Sequence, residues 1–378
     1  MASTNLVHRD LFALKRAYAA LRPPTQIKFS AHLCFSAVHE FLLRSILLDP
    51  HLQQYPPSRQ YQTVFWKWAI AYLESFDELK QNEDLEIDSQ LFDHYTYLII
   101  PLNPTIPGPQ AAPQPPSQSF LTHYWRTNDG EVERCDANSD VVDTSQYRLV
   151  TVMESRTTIE RGTTGLRTWL ASFVLAHYLT LNTGLVVGKR VLELGSGTGF
   201  LGIVIASIQV PSPSPGALWL TDVEESVLNR CRENVQLQCN LSSSNANIQY
   251  TLLDWFDAID PSRRPRFEEL FDKNIRPDII LGADLVFDCS LIGPLVATLE
   301  LLLEPSPHRV AIIALTVRNE DTLESFHKSA SSTLHLEELQ CDWRSAPSFE
   351  IWEDGTDVNK GVKIFEIYST KIAEGPVA

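Results

Sequence analysis

A glycine-rich segment, VLELGSGTGFLG at residues 191–202, is the part of the sequence best suited to bind a ligand. Gly195, Gly197 and Gly199 follow an apolar run that predicts a β-strand, and glycine permits the positive φ angles and close backbone approach that a ligand loop needs. The helix expected after them would present unpaired N–H groups to the ligand. Glu193 precedes the glycines, and we expect it to lie buried under the loop.

Two kinds of cofactor fit this loop. Residues 197–202 have the G-x-G-x-x-G spacing of a dinucleotide fingerprint, and Asp222 stands twenty residues beyond the last of them. That fingerprint starts at the first glycine after the strand, however, and counted from Gly195 its third glycine would fall on Phe200. This register weakens the nicotinamide interpretation. The alternative is a nucleoside sulfonium, S-adenosylmethionine, with its amino-acid part against the glycines.

Acidic residues stand at the ends of the next two predicted strands. Asp222 can accept hydrogen bonds from two ribose hydroxyls, because its two carboxylate oxygens match a cis-diol. Asp254 and Trp255 end the third strand with an acceptor for an adenine amino group and an aromatic plane for its ring. Either aspartate alone could be a helix cap or a loop carboxylate. Together, on successive strand ends, they favour an adenosyl ligand.

Short apolar runs alternate with helical segments between residues 189 and 318, which is the pattern of a parallel sheet covered on both faces. The predicted strands are residues 189–194, 217–222, 248–254, 278–284 and 309–317. Right-handed crossovers bring the carboxyl ends of such strands to one edge, near the point where strand order reverses. We therefore expect a doubly wound α/β domain with its chemistry just after Leu194, Leu220, Leu253 and Ala283.

The sequence before residue 165 has a different organisation. Residues 101–119 hold seven prolines and no charged residue, a composition typical of a linker or a long surface loop. Helical periodicity precedes it, and Asn128-Asp129-Gly130 after it predicts the turn of a β-hairpin. The predicted helices cover residues 6–21, 31–48 and 61–79, and a further strand covers 147–152. The expected regions are a helical N-terminal region at 1–100, the linker at 101–119, a β-hairpin lead-in at 120–164 and the catalytic domain at 165–378.

Composition restricts the classes of partner. Forty-seven Asp and Glu against thirty-one Lys and Arg give a formal net charge of −16, which disfavours direct contact with nucleic acid. No apolar run reaches the ~18–20 residues of a bilayer span, and the amphipathic N-terminus does not read as a secretory signal. The six cysteines form no C-x-x-C pair and the ten histidines no H-E-x-x-H motif. We expect reduced thiols, a cytoplasmic location and no metal site.

These motifs resemble those of the seven-β-strand S-adenosylmethionine-dependent methyltransferases, and in particular their protein-lysine branch. The matching segments are E-L-G-S-G-T-G at 193–199, T-D at 221–222, L-D-W at 253–255 and G-A-D-L-V-F at 282–287. The last segment carries Asp284 and Phe287 in the Asp-x-x-Tyr/Phe pattern of that branch. The resemblance implies a Rossmann-like seven-stranded catalytic domain with a helical N-terminal extension, acting as a protein-lysine N-methyltransferase.

The resemblance also implies roles for single residues. A carboxylate raises the pKa of a neighbouring lysine, so Asp284 is expected to hold and orient the incoming amine rather than to deprotonate it. Phe287 would line the lysine channel, where a ring face stabilises a cation by ~0.5–2 kcal/mol. Trp169 would border the cofactor, as would Ala283 at the end of the fourth strand. Core packing is the competing interpretation for both Trp169 and Phe287.

A narrower resemblance concerns the substrate. The segments A-L-T-V-R-N-E-D-T at 314–322 and P-P-S-R-Q-Y-Q-T-V-F-W-K-W at 56–68 are similar to the family that methylates a lysine of translation elongation factor 2. It implies an N-terminal region that helps to recognise the factor, and we expect a monomer. Arg318 and Asn319 fit substrate contact and helix capping equally well. A small-molecule methyltransferase with a helical lid and a non-catalytic subunit of the same fold remain alternatives.

Overall fold

The computed structural model of the chain describes residues 5–27, 32–82, 84–100, 118–126, 140–160, 162–214, 216–304, 309–345, 348–351 and 360–370. These residues belong to two compact units, residues 1–157 and 158–378. Residues 101–117 of the predicted linker lie outside the described residues, as does the predicted Asn128-Asp129-Gly130 turn with the segment at 131–136.

The first unit combines short helices with two antiparallel strand pairs. Its helices are α1 (Arg9–Ala19), α2 (Phe35–Phe41), α3 (Pro50–Gln54), α4 (Arg59–Glu74), α5 (Asp77–Gln81) and α6 (Ser89–Ile99). Its strands are β1 (Leu6–His8), β2 (Ser119–Trp125), β3 (Val141–Asp143) and β4 (Arg148–Glu154), paired β1 with β3 and β2 with β4. A π-helical turn, Leu42–Leu47, continues α2.

Capping residues explain where several of these helices begin. The side chain of Asp49 accepts a hydrogen bond from Leu52 N at the start of α3, and Ser58 accepts one from Tyr61 N at the start of α4. Asp88 caps α6 in the same way. The predicted helix over 61–79 is in fact two, because α4 ends at Glu74 and α5 begins at Asp77. Helices α3 and α6 were not predicted.

Aromatic side chains form the core of the first unit. Tyr18 of α1 packs on Phe65 of α4, with ring centroids 4.4 Å apart, and Phe12 contacts Tyr124 of β2 and Tyr147 before β4. Strands β2 and β4 thus pack with the N-terminal helices. Strands β2 and β4 belong to the first unit, although the sequence pattern predicts residues 120–164 as the lead-in to the catalytic domain.

The second unit is a seven-stranded sheet with helices between its strands. The strands are β5 (Arg190–Leu194), β6 (Ala217–Asp222), β7 (Ile248–Leu252), β8 (Ile279–Ala283), β9 (Val310–Thr316), β10 (Leu334–Leu339) and β11 (Val362–Ser369). The helices are α7 (Leu170–Leu181), α8 (Phe200–Gln209), α9 (Glu225–Val235), α10 (Arg264–Glu269), α11 (Ile292–Leu303) and α12 (Glu320–Ala330). A π-helical turn, Leu270–Ile275, continues α10.

The strand order is β10-β11-β9-β8-β5-β6-β7, and the five strands from β5 to β9 are parallel. All five predicted strands are present, and the predicted α/β, Rossmann-like fold is confirmed. Strand order reverses between β5 and β8, where Leu194 pairs with Gly282. The loops that follow these two strands therefore start side by side, at the place where ligands bind in such sheets. Strand β11 is antiparallel to both β9 and β10.

Apolar side chains fill both faces of this sheet, as the continuous apolar runs predicted. Ile280 of β8 and Ile313 of β9 are fully buried, together with Leu295 and Leu299 of α11. Among the helices described, none has the length and apolarity that a membrane crossing requires.

Replacing Ile313 by Ala should lower the free energy of unfolding by about 2–5 kcal/mol, because it removes buried methyl groups from the middle of the sheet and leaves a cavity. The matched control is Ile259→Ala, since that isoleucine is exposed and its loss should change stability by less than about 0.5 kcal/mol. Urea unfolding followed by far-ultraviolet circular dichroism measures both. Equal effects of the two substitutions would contradict the assignment of Ile313 to the core.

Candidate active site

The glycine loop lies between β5 and α8, as predicted. Gly195, Gly197 and Gly199 all have positive φ angles, of 61°, 54° and 85°. Ser196 fixes the loop to the neighbouring strand, because its backbone N–H donates to the carbonyl oxygen of Thr221 at 2.7 Å. The sequence needs glycine at these positions because other residues are strained at such angles.

All three glycines also face close neighbours, and a β-carbon on Gly199 would lie 2.8 Å from Sγ of Cys231. A β-carbon on Gly195 would lie 2.8 Å from Cδ2 of Leu285 and 3.8 Å from the Trp255 ring. On Gly197 it would lie 3.2 Å from the carbonyl oxygen of Gly165, which precedes α7. The loop therefore has bare backbone on the sides that face Trp255 and the segment before α7. Such a surface lets a ligand approach main-chain atoms closely.

Glu193 is buried directly before the loop, as expected. Its Oε2 atom has no hydrogen-bond partner among the described residues. Gly202 of α8 leaves room for this oxygen, since a β-carbon there would lie 3.1 Å from it. Burial raises the pKa of Glu193 to about 8; a hydrogen bond with Ser196 opposes this shift and the charge of Asp222 adds to it. A buried oxygen without a partner suits a ligand that donates a hydrogen bond.

Asp222 and Asp254 lie at the ends of β6 and β7, and each side chain also organises its own loop. Asp222 accepts hydrogen bonds from Gly197 N and Glu224 N, each at 3.2 Å, and burial is the main cause that raises its pKa. Asp254 Oδ1 accepts from Phe256 N at 3.0 Å and so caps the 3₁₀ turn Trp255–Ala258. The capping interpretation is thus correct for Asp254. The adenine contact of Asp254 stays a prediction.

Asp284 follows β8 in a left-handed conformation with φ of 54°, which aspartate tolerates better than most residues. Its side chain is only 4% exposed. Oδ1 accepts a hydrogen bond from Thr316 N at 2.8 Å, and Oδ2 accepts from the Thr316 hydroxyl at 2.9 Å. Arg318 Nη2 also donates to Oδ2, at 3.2 Å. The carboxylate is therefore bound by the end of β9 on both of its oxygens.

Arg318 connects Asp284 to Trp169. Its guanidinium carbon lies 4.8 Å from the centre of the Trp169 ring, in a cation–π contact. Trp169 precedes α7, is half-buried, and donates from Nε1 to the carbonyl oxygen of Thr164 at 3.1 Å. The adjacent Thr168 hydroxyl shares a 2.9 Å hydrogen bond with that of Thr198, next to Gly199. These contacts join the ends of β8 and β9 to the glycine loop.

The remaining predicted positions are distributed as follows. Phe287 is 62% exposed, so the competing core interpretation is wrong for this residue. Ala283 is the last residue of β8 and pairs with Ala314 of β9. Asn319 caps α12, its side chain accepting from Asp321 N at 2.9 Å. Sequence reasoning missed Thr316, because it resembles one more member of an apolar strand.

No group of three or more His, Cys, Asp or Glu side chains within the described residues is placed to hold a metal ion. Cys34, Cys231, Cys289 and Cys341 are free thiols.

Residues 152–332 match the sequence model of a family described as lysine methyltransferase. This match covers just under half of the chain. The chain is 29% identical over 327 residues to the protein-lysine N-methyltransferase EFM3 of Chaetomium thermophilum, covering 85% of this chain and 88% of that protein. It is 30% identical over 211 residues to human protein-lysine N-methyltransferase EEF2KMT, covering 53% of this chain and 58% of that protein.

Among solved structures, a SAM-dependent methyltransferase from Aquifex aeolicus aligns with a TM-score of 0.35 and 15% identity, over 52% of this chain and 90% of that chain. The match over residues 152–332 and the similarity to EFM3 confirm the predicted enzyme class: the protein methylates protein lysine and uses S-adenosylmethionine as its cofactor. The nicotinamide and non-catalytic alternatives are thereby set aside.

The buried carboxyl of Glu193 should make stability depend on pH. Its pKa of about 8 in the folded chain exceeds the ordinary value of 4.5, so between these values the folded state retains a proton that the unfolded state has lost. Stability should thus fall by ~1.4 kcal/mol per pH unit as pH rises from about 5 to 8, and Glu193→Gln should abolish this component.

Urea unfolding of the free protein at several pH values measures the difference between Glu193→Gln and the unmodified protein. That difference should grow with pH and level off above pH 8. Glu337→Gln, at an exposed position of β10, serves as the control and should give a nearly constant difference. A constant difference for Glu193→Gln as well would show that this carboxyl is ionised in the folded chain throughout.

Proposed function

We propose that this lysine methyltransferase transfers methyl groups from S-adenosylmethionine to a lysine of translation elongation factor 2, as a cytoplasmic monomer. The observation that carries the site is the meeting of the glycine loop and the Asp284 turn at the point where strand order reverses. The observation that supports the substrate is the similarity of residues 56–68 and 314–322 to the elongation factor 2 methyltransferases. The name of the human relative, EEF2KMT, points to the same factor.

The two segments that support this substrate have different places in the fold. Residues 314–322 run from β9 through Arg318 into α12, at the edge that carries the glycine loop. Residues 56–68 contain the cap and the first turns of α4, and their Phe65 and Trp66 are fully buried in the core of the first unit. Much of the similarity over residues 56–68 therefore reflects the packing of this core. Val64 and Lys67 of that segment are exposed and available to a partner.

The cofactor would lie along the ends of β5, β6 and β7. The bare backbone of Gly195, Gly197 and Gly199 would take the amino-acid part, with the unpartnered oxygen of Glu193 close beneath. Asp222 would accept from the ribose hydroxyls. Asp254 and Trp255 would contact the adenine. Trp169 and Ala283 would border the cofactor. When bound, S-adenosylmethionine supplies a methyl group activated by a sulfonium.

The acceptor lysine would enter beside β8. An exposed Phe287 offers a ring face to its aliphatic stem and to the cationic methylated nitrogen. A free lysine has a pKa of ~10.4, so its amine must lose a proton before it attacks. Partial burial and the sulfonium charge both favour that loss. Asp284 would orient the amine from the end of β8. Its carboxylate is itself fixed in place by hydrogen bonds from Thr316 and Arg318 at the end of β9.

Gly195→Ala should weaken binding of S-adenosylhomocysteine about tenfold or more, ~1.4 kcal/mol, because the added carbon fills the space between Leu285 and Trp255. Gly162→Ala is the matched control. Gly162 also has a positive φ, of 81°, but no atom lies within 4 Å of its would-be β-carbon. Calorimetric titration should show that only the first substitution changes affinity. Equal losses would mean that backbone strain, not the shape of the loop, affects the cofactor.

Transfer of labelled methyl groups to purified elongation factor 2, against a panel of other proteins and small metabolites, tests the substrate. The label should enter one lysine-containing peptide of the factor, identified by mass spectrometry. Label in a metabolite or in another protein alone would reject this substrate.

In the same assay Asp284→Ala should reduce transfer by ~10²-fold or more, since a misplaced acceptor costs that much. Affinity for S-adenosylhomocysteine should be unchanged. Asp284→Asn keeps the shape and tolerates the left-handed φ, so it separates loss of charge from backbone strain. Undiminished transfer by Asp284→Ala would show that Asp284 has no positioning role.

A further inference from the structure

The contacts of Asp284 raise a problem for a carboxylate next to an acceptor amine. A free carboxylate within ~4–6 Å of a lysine stabilises the ammonium form, which cannot attack a methyl group. A site that placed a bare aspartate there would bind the substrate in its unreactive state. In this chain the carboxylate accepts three hydrogen bonds, one of them from the cation of Arg318.

We propose that Arg318 is a positioning residue that partly neutralises the charge of Asp284, so that the carboxylate can orient the arriving amine without holding it as an ammonium ion. This inference rests on the proposed function, because it takes the acceptor amine to enter beside β8. Arg318 is suited to the role because a guanidinium stays charged at every pH at which the enzyme works.

Exposure within the ion pair supports this assignment. The Asp284 side chain is 4% exposed and that of Arg318 is 29% exposed, so the guanidinium is the part of the pair that meets an incoming group. The N–O distance of 3.2 Å makes the pair a direct hydrogen bond as well as a charge contact. A lysine ammonium approaching this side would meet a cation before it reached the carboxylate.

A second contact keeps the guanidinium in place. It lies over the Trp169 ring at 4.8 Å, and Trp169 is itself fixed by its hydrogen bond to Thr164 O. The next residue, Asn319, caps α12 and so fixes the backbone just beyond Arg318. Arg318 would have to give up both the ring and the carboxylate to swing away. The contact between Arg318 and Asp284 is therefore already formed in the folded protein.

Other charged groups occupy the elements around the pair. These groups are Glu193 on β5, Asp288 after β8, Arg167 before α7, and Glu320 and Asp321 in the first turn of α12. Arg167 lies 5.7 Å from the Trp169 ring, and the three acids after β8 and β9 are exposed, where solvent screens their charge. The Arg318 contact is distinguished from these by its direct hydrogen bond to Asp284.

The test compares Arg318→Gln, Arg318→Lys and the double variant Asp284→Asn/Arg318→Gln. The first measurement is binding of n-butylammonium, a mimic of the lysine side chain, to protein saturated with S-adenosylhomocysteine, followed by NMR titration. Arg318→Gln should bind the mimic at least tenfold more tightly than the unmodified protein. Arg318→Lys should not, and the double variant should lose the gain because the carboxylate has gone.

The second measurement is the pH dependence of kcat for methyl transfer to the lysine substrate. The acid limb of the profile should move up by about one pH unit in Arg318→Gln and return to its original place in Arg318→Lys and in the double variant. Arg344→Gln is the control, since Arg344 lies over Trp343 at 4.6 Å elsewhere in the same unit and should leave the profile unchanged.

Three results would overturn the proposal: no tighter binding of n-butylammonium by Arg318→Gln, a gain that persists in the double variant, or a uniform fall of kcat without a shift of the profile. Each would leave Arg318 a structural residue only. Failure of the proposed function is distinct, because it would appear as absence of transfer to elongation factor 2 by the unmodified enzyme. The n-butylammonium comparison decides the role of Arg318 in that case too.

Discussion

The side chain of Leu285 holds together the two loops on which the site depends. It is buried and occupies the space that two glycines leave free: a β-carbon on Gly195 would lie 2.8 Å from its Cδ2, and one on Gly282 would lie 2.5 Å from its Cδ1. Gly282 is in β8 and Gly195 follows β5, so one leucine packs against both central strands where strand order reverses. Because protein interiors are close-packed, neither loop can shift without displacing this leucine. The spacing between the glycine loop and Asp284 is therefore set by core packing.

The same edge concentrates carboxyl groups where water has little access. Glu193 and Asp222 both have a raised pKa because of burial, and both also lie next to Cys231, whose pKa is raised mainly by burial and further by these two acids. Buried acids without full hydrogen bonding cost stability. A fold retains such groups where a ligand needs them, and activity then comes at the expense of the free protein's stability.

Periodicity carried the sequence-based prediction of the central sheet. Strands β5, β6, β8 and β9 are short, mostly apolar runs with helical segments between them, and the glycine loop follows directly from residue type. Apolar and polar residues alternate in β10, LHLEEL, and only one of its residues is buried. Strand β11 is held by its pairing with β9. Neither strand therefore has a strong local signal in the sequence. The packing of β2 and β4 on α1 likewise joins residues more than a hundred positions apart.

The residues of the site likewise divide into those with a local sequence signal and those placed by long-range pairing. Residue type and position at strand ends indicated Glu193, Asp222, Asp254 and Asp284 as a group. The partners of Asp284 lie 32 and 34 residues further on, and no spacing rule links an acid after one strand to Thr316 and Arg318 at the end of the next. Only the parallel pairing of β8 with β9 brings them together. Sequence thus predicted which groups gather at the edge, but not that one of them is already bound by its neighbour.

The position of β11 has a consequence for how the catalytic region can be isolated. Similarity to the family spans residues 152–332, which begins inside β4 and stops before β10 and β11. A fragment cut at those limits would leave β9 as an open sheet edge, with unpaired N–H and carbonyl groups facing solvent, and such edges promote aggregation. A soluble fragment must therefore extend through Ser369, because backbone pairing, and not the extent of recognisable homology, defines the unit that folds.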